Sequence, residues 1–139
     1  MSEIFKKQAA IQAGFAKQGM TDPSSIPKWK TVGEAIDYVR EMQYFMHEEV
    51  SELMNEIGGG RDAVKPWSPN YTEARNKQFV PTDHVRSEAI DMLCFAINIC
   101  LAAGVTPDIV NDEYEKVFQK NKGRQDAYRG KKDIPIRQF

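Results

Sequence analysis

Two cysteines and two histidines are all the thiolate and imidazole donors this 139-residue sequence holds, and none falls in a zinc-ligand spacing. Cys94 and Cys100 lie six apart in one apolar segment, an offset that does not put them on one helix face. They read as small hydrophobes in a reducing compartment, not as a disulfide. No stretch approaches the roughly 18 apolar residues of a membrane span. The first ten residues, MSEIFKKQAA, lack the apolar centre of a secretory signal. A cytoplasmic protein with no membrane partner is expected. An excess of one charge is missing too: 19 Lys and Arg against 20 Asp and Glu leave a net charge of −1. That balance gives no reason to expect nucleic acid as a partner, although a few local cations suffice for a small polyanion. No run alternates with period two and β-branched enrichment, so strands are not expected. There are no internal repeats. The length suits one domain spanning residues 1–139.

What remains is helical. Residues 3–18 place Ile4, Phe5, Ala9, Ile11, Phe15 and Ala16 close to a 3.6-residue period. Residues 20–30, with Pro23, Ser24, Ser25 and Pro27, read as a loop. Thr31-Val-Gly-Glu34 has the form of a capping box. A stripe from Ile36 through Val39, Met42, Phe45, Met46, Val50 and Leu53 to Ile57 follows, stopped by Gly58-Gly59-Gly60. Residues 61–80, with Pro66, Trp67, Pro69 and Tyr71, read as an excursion with a short helix near 71–78. Pro81-Thr82-Asp83 starts another helix. Residues 84–103 are apolar on nearly every side, the pattern of a central buried helix, and Gly104 ends it. Thr106-Pro107 is the N-terminal signal of a last helix running to about Lys122. A basic, partly ordered tail is expected from about residue 123. The fold class is all-α, of four-helix-bundle type.

Two carboxylate pairs carry the chemistry. Glu48-Glu49-Val-Ser-Glu52 lies on the second long helix and Glu88-Ala-Ile-Asp91 on the third. Carboxylates three apart project from one helix face. Asp91 sits in the most apolar segment, where a bare charge is costly unless a cation or hydrogen bonds compensate. Facing pairs of this kind suit a hard, oxygen-loving cation such as Mg²⁺ or Mn²⁺. Glutamates at these offsets also line ordinary solvated faces, and a non-enzymatic helical interaction module would carry them that way. A second cluster, Lys116, Lys120, Asn121, Lys122, Arg124, Gln125, Tyr128, Arg129, Lys131 and Lys132, groups cations with amide and phenol donors. It suits phosphate oxygens, or else a helix C-terminus complementing its macrodipole.

Glu49-x-x-Glu52 followed by Glu88-x-x-Asp91 resembles the ExxE…ExxD signature of the all-α nucleoside triphosphate pyrophosphohydrolase superfamily, which includes MazG-like enzymes and dimeric dUTPases. The phage dCTPase–dUTPase members of the dimeric dUTPase branch are the nearest likeness. It is carried also by Gln8-Ala-Ala-Ile-Gln12, Thr31-x-Gly-Glu34, Lys65-Pro66-Trp67 and Asn121-x-x-Arg124-Gln125, and covers most of residues 5–130. The sequence departs from the branch at Phe118, where an Asn is common, and at Ala127-Tyr128, where Gly-Tyr is usual. These departures bear on the base more than on the chemistry.

The resemblance implies hydrolysis of a deoxynucleoside triphosphate, dUTP or dCTP, to monophosphate and pyrophosphate. It implies Glu49, Glu52, Glu88 and Asp91 as Mg²⁺ ligands, with Glu48 and Glu49 catalytic, Glu48 orienting or deprotonating a water or joining the metal shell. Lys116, Lys120, Asn121, Arg124 and Tyr128 would hold the β- and γ-phosphates. Gln8, Gln12 and Trp67 would meet the base; the alternative is two ordinary surface glutamines on an amphipathic helix and a tryptophan of the core or of a lid. A homodimer or homotetramer is expected, in the host cytoplasm if the protein is phage-encoded. A MazG-like enzyme acting on dGTP, dATP or several deoxynucleotides keeps the chemistry and changes the base.

Overall fold

The computed structural model describes the backbone of residues 1–17, 30–58 and 60–132, and the side chains of residues 1–14, 30–58 and 60–129. The expected loop up to residue 29, Gly59, the side chains of Phe15, Ala16, Lys131 and Lys132, and residues 133–139 of the expected tail lie outside the described residues. The fold is all-α: five helices, with no strand among the described residues. They are α1 (Ser2–Lys17), α2 (Val32–Ile57), the short α3 (Tyr71–Arg75), α4 (Asp83–Ala102) and α5 (Val110–Lys132).

The helix starts follow local hydrogen bonding. Thr31 caps α2 by accepting from the Glu34 backbone N–H at 3.1 Å. The return arm of the box lands one residue early: Glu34 Oε2 accepts from the backbone N–H of Lys30 at 2.8 Å. Thr82 caps α4 in the same way, accepting from the Val85 N–H at 3.2 Å. Gly104 follows the end of α4 at φ +94°, a backbone region in which a Cβ is strained.

α5 differs from expectation at both ends. Thr106 and Pro107 form a separate turn, in which Thr106 O accepts from the Ile109 and Val110 N–H groups, and the helix proper starts at Val110. At the other end it runs through Gly123 to Lys132, where the sequence pattern suggests a stop near Lys122. An interior glycine costs only about 1 kcal/mol relative to alanine. Gly123 is flanked here by good helix formers, Lys122, Arg124, Gln125 and Ala127, and the helix absorbs it.

α2 and α4 pack antiparallel along their length, and α1 lies on the C-terminal half of α4. Met42 meets Asn98, Phe45 stacks on Phe95, and Glu49 and Glu52 come beside Glu88. Each step up α2 is thus matched by an equal step down α4. The buried core is Phe5, Ile97, Leu101 and Val110, with Ala9, Cys100 and Val105 against it. Both cysteines are free thiols. Val110 anchors the start of α5. From Tyr114 to Arg129 every residue of that helix is exposed.

The expectation that α4 is buried on all sides is corrected. Val85, Ile97, Asn98 and Leu101 are buried, but Ile90 is 56% and Leu93 41% exposed. Asp91, read from the sequence as sitting in an apolar interior, is exposed as well. The cause is the number of neighbours. Among the described residues the N-terminal half of α4 has α2 on one side and no second helix packed broadly against it, so an all-round apolar sequence keeps an open face. No helix among the described residues is long and apolar enough to cross a membrane.

Candidate metal centre

The carboxylates of Glu49, Glu52 and Glu88 converge between α2 and α4. One oxygen from each lies within 4.8 Å of the others. The two glutamates of α2 are one helical turn apart, which aligns them, and the antiparallel packing brings Glu88 opposite. Thr82 fixes where α4 begins, and the Phe45–Phe95 stack, with centroids 5.4 Å apart, fixes its register against α2.

Glu49 and Glu88 are half-buried, and Oε2 of each is fully buried with no hydrogen-bond partner. The ion pairs among the described residues, Lys6–Glu3, Arg86–Asp83 and Lys116–Glu113, leave the cluster without a positive side chain. The electrostatic result is an acid that keeps its proton to higher pH than an ordinary carboxyl. Burial, then the charges of Glu52, Asp91 and Glu88, push the Glu49 carboxyl up to about 7. Glu88 is also raised, by burial first and then by Glu52 and Asp91, with Glu49 acting in the opposite direction. Neighbouring Cys94 is raised by burial and by the Asp91 and Glu49 charges, so its thiol stays protonated and is a poor nucleophile.

Oxygen-only donors, crowded and lacking protein counter-charges, fit a divalent cation of the Mg²⁺ or Mn²⁺ type. Asp91 adds its charge to this site without being one of the three converging carboxylates. Glu48 is exposed and stands apart from them. Its carboxylate lies beside Tyr44 and raises the phenol's pKa, so that hydroxyl stays protonated.

The other residues singled out in the sequence fall into two places. Gln8 and Gln12 are half-buried on α1, and Gln8 Nε2 donates to Asn98 Oδ1 at 2.9 Å. Trp67 is 77% exposed in the ordered turns after α2, with Lys65 Nζ 5.6 Å from its ring centroid. Lys116, Lys120, Asn121, Arg124 and Tyr128 are exposed on α5. Lys116 pairs there with Glu113 at 3.0 Å. A surface groove between Phe118, Asn121, Lys122 and Gln125 belongs to α5 alone. One chain therefore gathers the acidic residues and leaves the cationic set on a separate, outlying helix. Asn98 is not foreseen from the sequence, and Met42, Phe45 and Phe95 are foreseen only as parts of apolar helix faces. The signal for Asn98 was available: a lone amide inside the apolar run from Met92 to Leu101.

No protein-family model matches the chain, and no solved structure does. Three curated proteins are similar to it. Over 109 residues it is 27% identical to a protein of Enterobacteria phage LZ5 named dCTP pyrophosphatase, covering 70% of this chain and 63% of that protein. A protein of the same name from Enterobacteria phage T4 is 26% identical over 111 residues, covering 71% and 65%. A DNA replication protein of phage T4 is 25% identical over 107 residues, 68% of this chain and 26% of that protein. The match spans less than two thirds of the length of the two phage pyrophosphatases. The all-α chain with its carboxylate cluster is thus similar, over about 70% of its length, to phage proteins named dCTP pyrophosphatase.

Proposed function

We propose that this protein is a metal-dependent pyrophosphohydrolase that cuts a deoxynucleoside triphosphate, dCTP or dUTP, between the α- and β-phosphates. The observation that carries this reading is the pair of buried, unpartnered oxygens, Glu49 Oε2 and Glu88 Oε2, in one cluster with Glu52. Uncompensated buried anions are too costly to keep ionised without a cation. The resemblance in motif order and the phage relatives named dCTP pyrophosphatase support the substrate class.

Glu49, Glu52 and Glu88 would hold Mg²⁺ or Mn²⁺, with Asp91 at the open side of the cluster. A bound divalent cation lowers the pKa of a water and offsets the charge that builds on the attacked phosphate. Glu48 would orient or deprotonate the attacking water, and Glu49 would share the catalytic role. Lys116, Lys120, Asn121, Arg124 and Tyr128 hold the β- and γ-phosphates as pyrophosphate departs, since catalysis of phosphoryl transfer rests mainly on positioning and electrostatics. Gln8 and Gln12 face the base, and Trp67 covers it.

The reading includes a homodimer or homotetramer. Ile90 and Leu93 on α4 and Ile36 and Val39 on α2 are all at least 39% exposed. Exposed apolar side chains of this kind are the surface a second copy would cover. A second copy covering it, with its cationic α5 against the acidic cluster, would unite the two halves of the site. The test is a panel of all common nucleoside triphosphates with Mg²⁺, products resolved by anion-exchange chromatography. Monophosphate and pyrophosphate in equal amounts, from a pyrimidine deoxynucleotide first, is the expected result. A tenfold preference for dGTP or dATP would keep the chemistry and reject the pyrimidine. No turnover, with no Mg²⁺ binding, would leave a helical interaction module.

A further inference from the structure

α5 is held at one end only. Val110 is buried in the core, and from Tyr114 to Arg129 every residue is exposed. The side-chain bonds Lys116–Glu113 and Gln119–Glu115 run within the helix itself. Helices owe most of their stability to a face packed on something else, and this 23-residue helix also carries Gly123 in its interior.

The face that awaits packing is marked by a hole. Tyr114, Phe118, Asn121 and Gln125 follow one another at intervals of four, three and four, the spacing of a coiled-coil seam. Tyr114 is 54% and Phe118 45% exposed. The groove on α5 is lined by Phe118, Asn121, Lys122 and Gln125. The last three stand three, four and seven residues on from the first. Four side chains so placed form the hole that receives a side chain from a facing helix.

Charge indicates which helix faces it. α5 begins acidic, with Asp112, Glu113 and Glu115, and is cationic from Lys120 onward, with Lys120, Lys122, Arg124 and Arg129 against Asp126. Lys116, in the acidic part, is paired with Glu113. None of the later cations is in an ion pair among the described residues. A second α5 laid parallel would set like charge on like. Laid antiparallel, its cationic end covers the acidic start, and the arrangement is its own complement, as a twofold interface requires. Glu115 and Lys122 are seven residues apart, so they project on the same flank of the seam. In the antiparallel pair they meet across it, twice by symmetry. Lys116 and Lys120, each two residues from Phe118, lie on the opposite side of the helix and stay open to phosphate, and Asn121 borders both faces.

We propose that α5 is a self-association helix: two copies of the chain lay their α5 helices antiparallel, each setting Phe118 into the four-residue hole of the other, with Glu115 meeting Lys122 across the seam. This goes beyond the hydrolase reading and does not depend on it. It names what α5 itself packs on when two copies assemble.

Sedimentation equilibrium of the full chain tests it. Wild type should self-associate. Phe118→Ala, which favours the helix and removes the inserted ring, should weaken association about tenfold or more. Glu115→Lys or Lys122→Glu alone should weaken it about fivefold, because like charges then meet in two symmetric places. The chain carrying both reversals should return to within about threefold of wild type. Glu73→Lys combined with Lys122→Glu restores the same net charge away from the seam and should stay weak. The charge variants change exposed side chains, and they decide the matter should Phe118→Ala lose helix by circular dichroism. A monomeric wild type, an association that none of the single changes weakens, a doubly reversed chain that stays weak, or a rescue by Glu73→Lys as full as by Glu115→Lys overturns the proposal. Each of these leaves the hydrolase reading standing, since that reading is judged by turnover.

Discussion

Phe45 and Phe95 stack with ring centroids 5.4 Å apart and planes 28° from parallel. Each lies one turn from a carboxylate of the candidate site: Phe45 four residues before Glu49, and Phe95 four residues after Asp91. The stack acts as a register pin for the α2–α4 pair. Both rings are half-buried, so Phe95→Ala should cost about 2–4 kcal/mol, near the low end of buried-aromatic deletions. Phe95→Leu should recover about half of that. Urea unfolding gives the stability. Mg²⁺ affinity should weaken in the alanine variant, because the carboxylates lose their alignment; an unaltered affinity would show that the register does not depend on the stack.

The raised carboxyls predict a particular pH dependence for the metal-free chain. Glu49 ionises near 4.5 when unfolded and only at about 7 when folded. Below 4.5 both states are protonated and the cluster costs nothing. As pH climbs from 4.5 through 7 the unfolded chain ionises freely while the folded chain ionises into its crowded neighbours. Stability therefore falls across that window, and the penalty is complete above it. The melting temperature in EDTA should drop between pH 5 and pH 8. Saturating Mg²⁺ or Mn²⁺ should abolish the drop, since a cation favours the ionised form. A flat profile in EDTA would contradict the electrostatic account of the cluster.

Glu88→Gln separates stability from function. Replacing a crowded buried acid by a neutral amide should raise the melting temperature of the metal-free chain at pH 8 while removing the stabilisation by metal. Activity should fall to less than about a tenth of wild type, and the same loss is expected for Asp91→Asn with its fold intact. Asp91→Asn retaining most activity would restrict the ligand set to the three converging glutamates.

Complementation tests the expected assembly. Glu49→Gln lacks a working acidic cluster, and Arg124→Ala combined with Lys120→Ala lacks the phosphate-holding cations. If α5 of one copy serves the carboxylates of another, mixing the two inactive proteins should restore up to about a quarter of wild-type activity, the share of intact sites in a randomly mixed dimer. Activity that stays at the sum of the separate variants would place α5 on its own chain or outside the site.

Much of this architecture was legible in the sequence, for reasons that differ by element. The starts of α2 and α4 were readable because Thr31 and Thr82 act locally, each on the backbone N–H three residues on. The carboxylate pairs were readable because an offset of three survives in any helix. The extent of α5 was not: Gly123 signals a stop by propensity, and its neighbours outweigh it. Nor was the exposure of Asp91 and Ile90, because an all-round apolar helix records that its faces are to be covered and not whether its own chain covers them. Asn98 was visible as a lone amide, but its partners, Gln8 and Met42, are 90 and 56 residues away. Only packing brings them together.

The central claim is that Glu49, Glu52 and Glu88 hold a divalent cation for attack at the α-phosphate. It is tested most directly by incubating wild type and Glu49→Gln with dCTP and Mg²⁺ in ¹⁸O-labelled water, and resolving the products by mass spectrometry. The account predicts equal amounts of monophosphate and pyrophosphate from wild type, with the label in the monophosphate and none in pyrophosphate, and turnover by Glu49→Gln lower by at least about a hundredfold. Diphosphate with labelled orthophosphate, or undiminished turnover by Glu49→Gln, would contradict it.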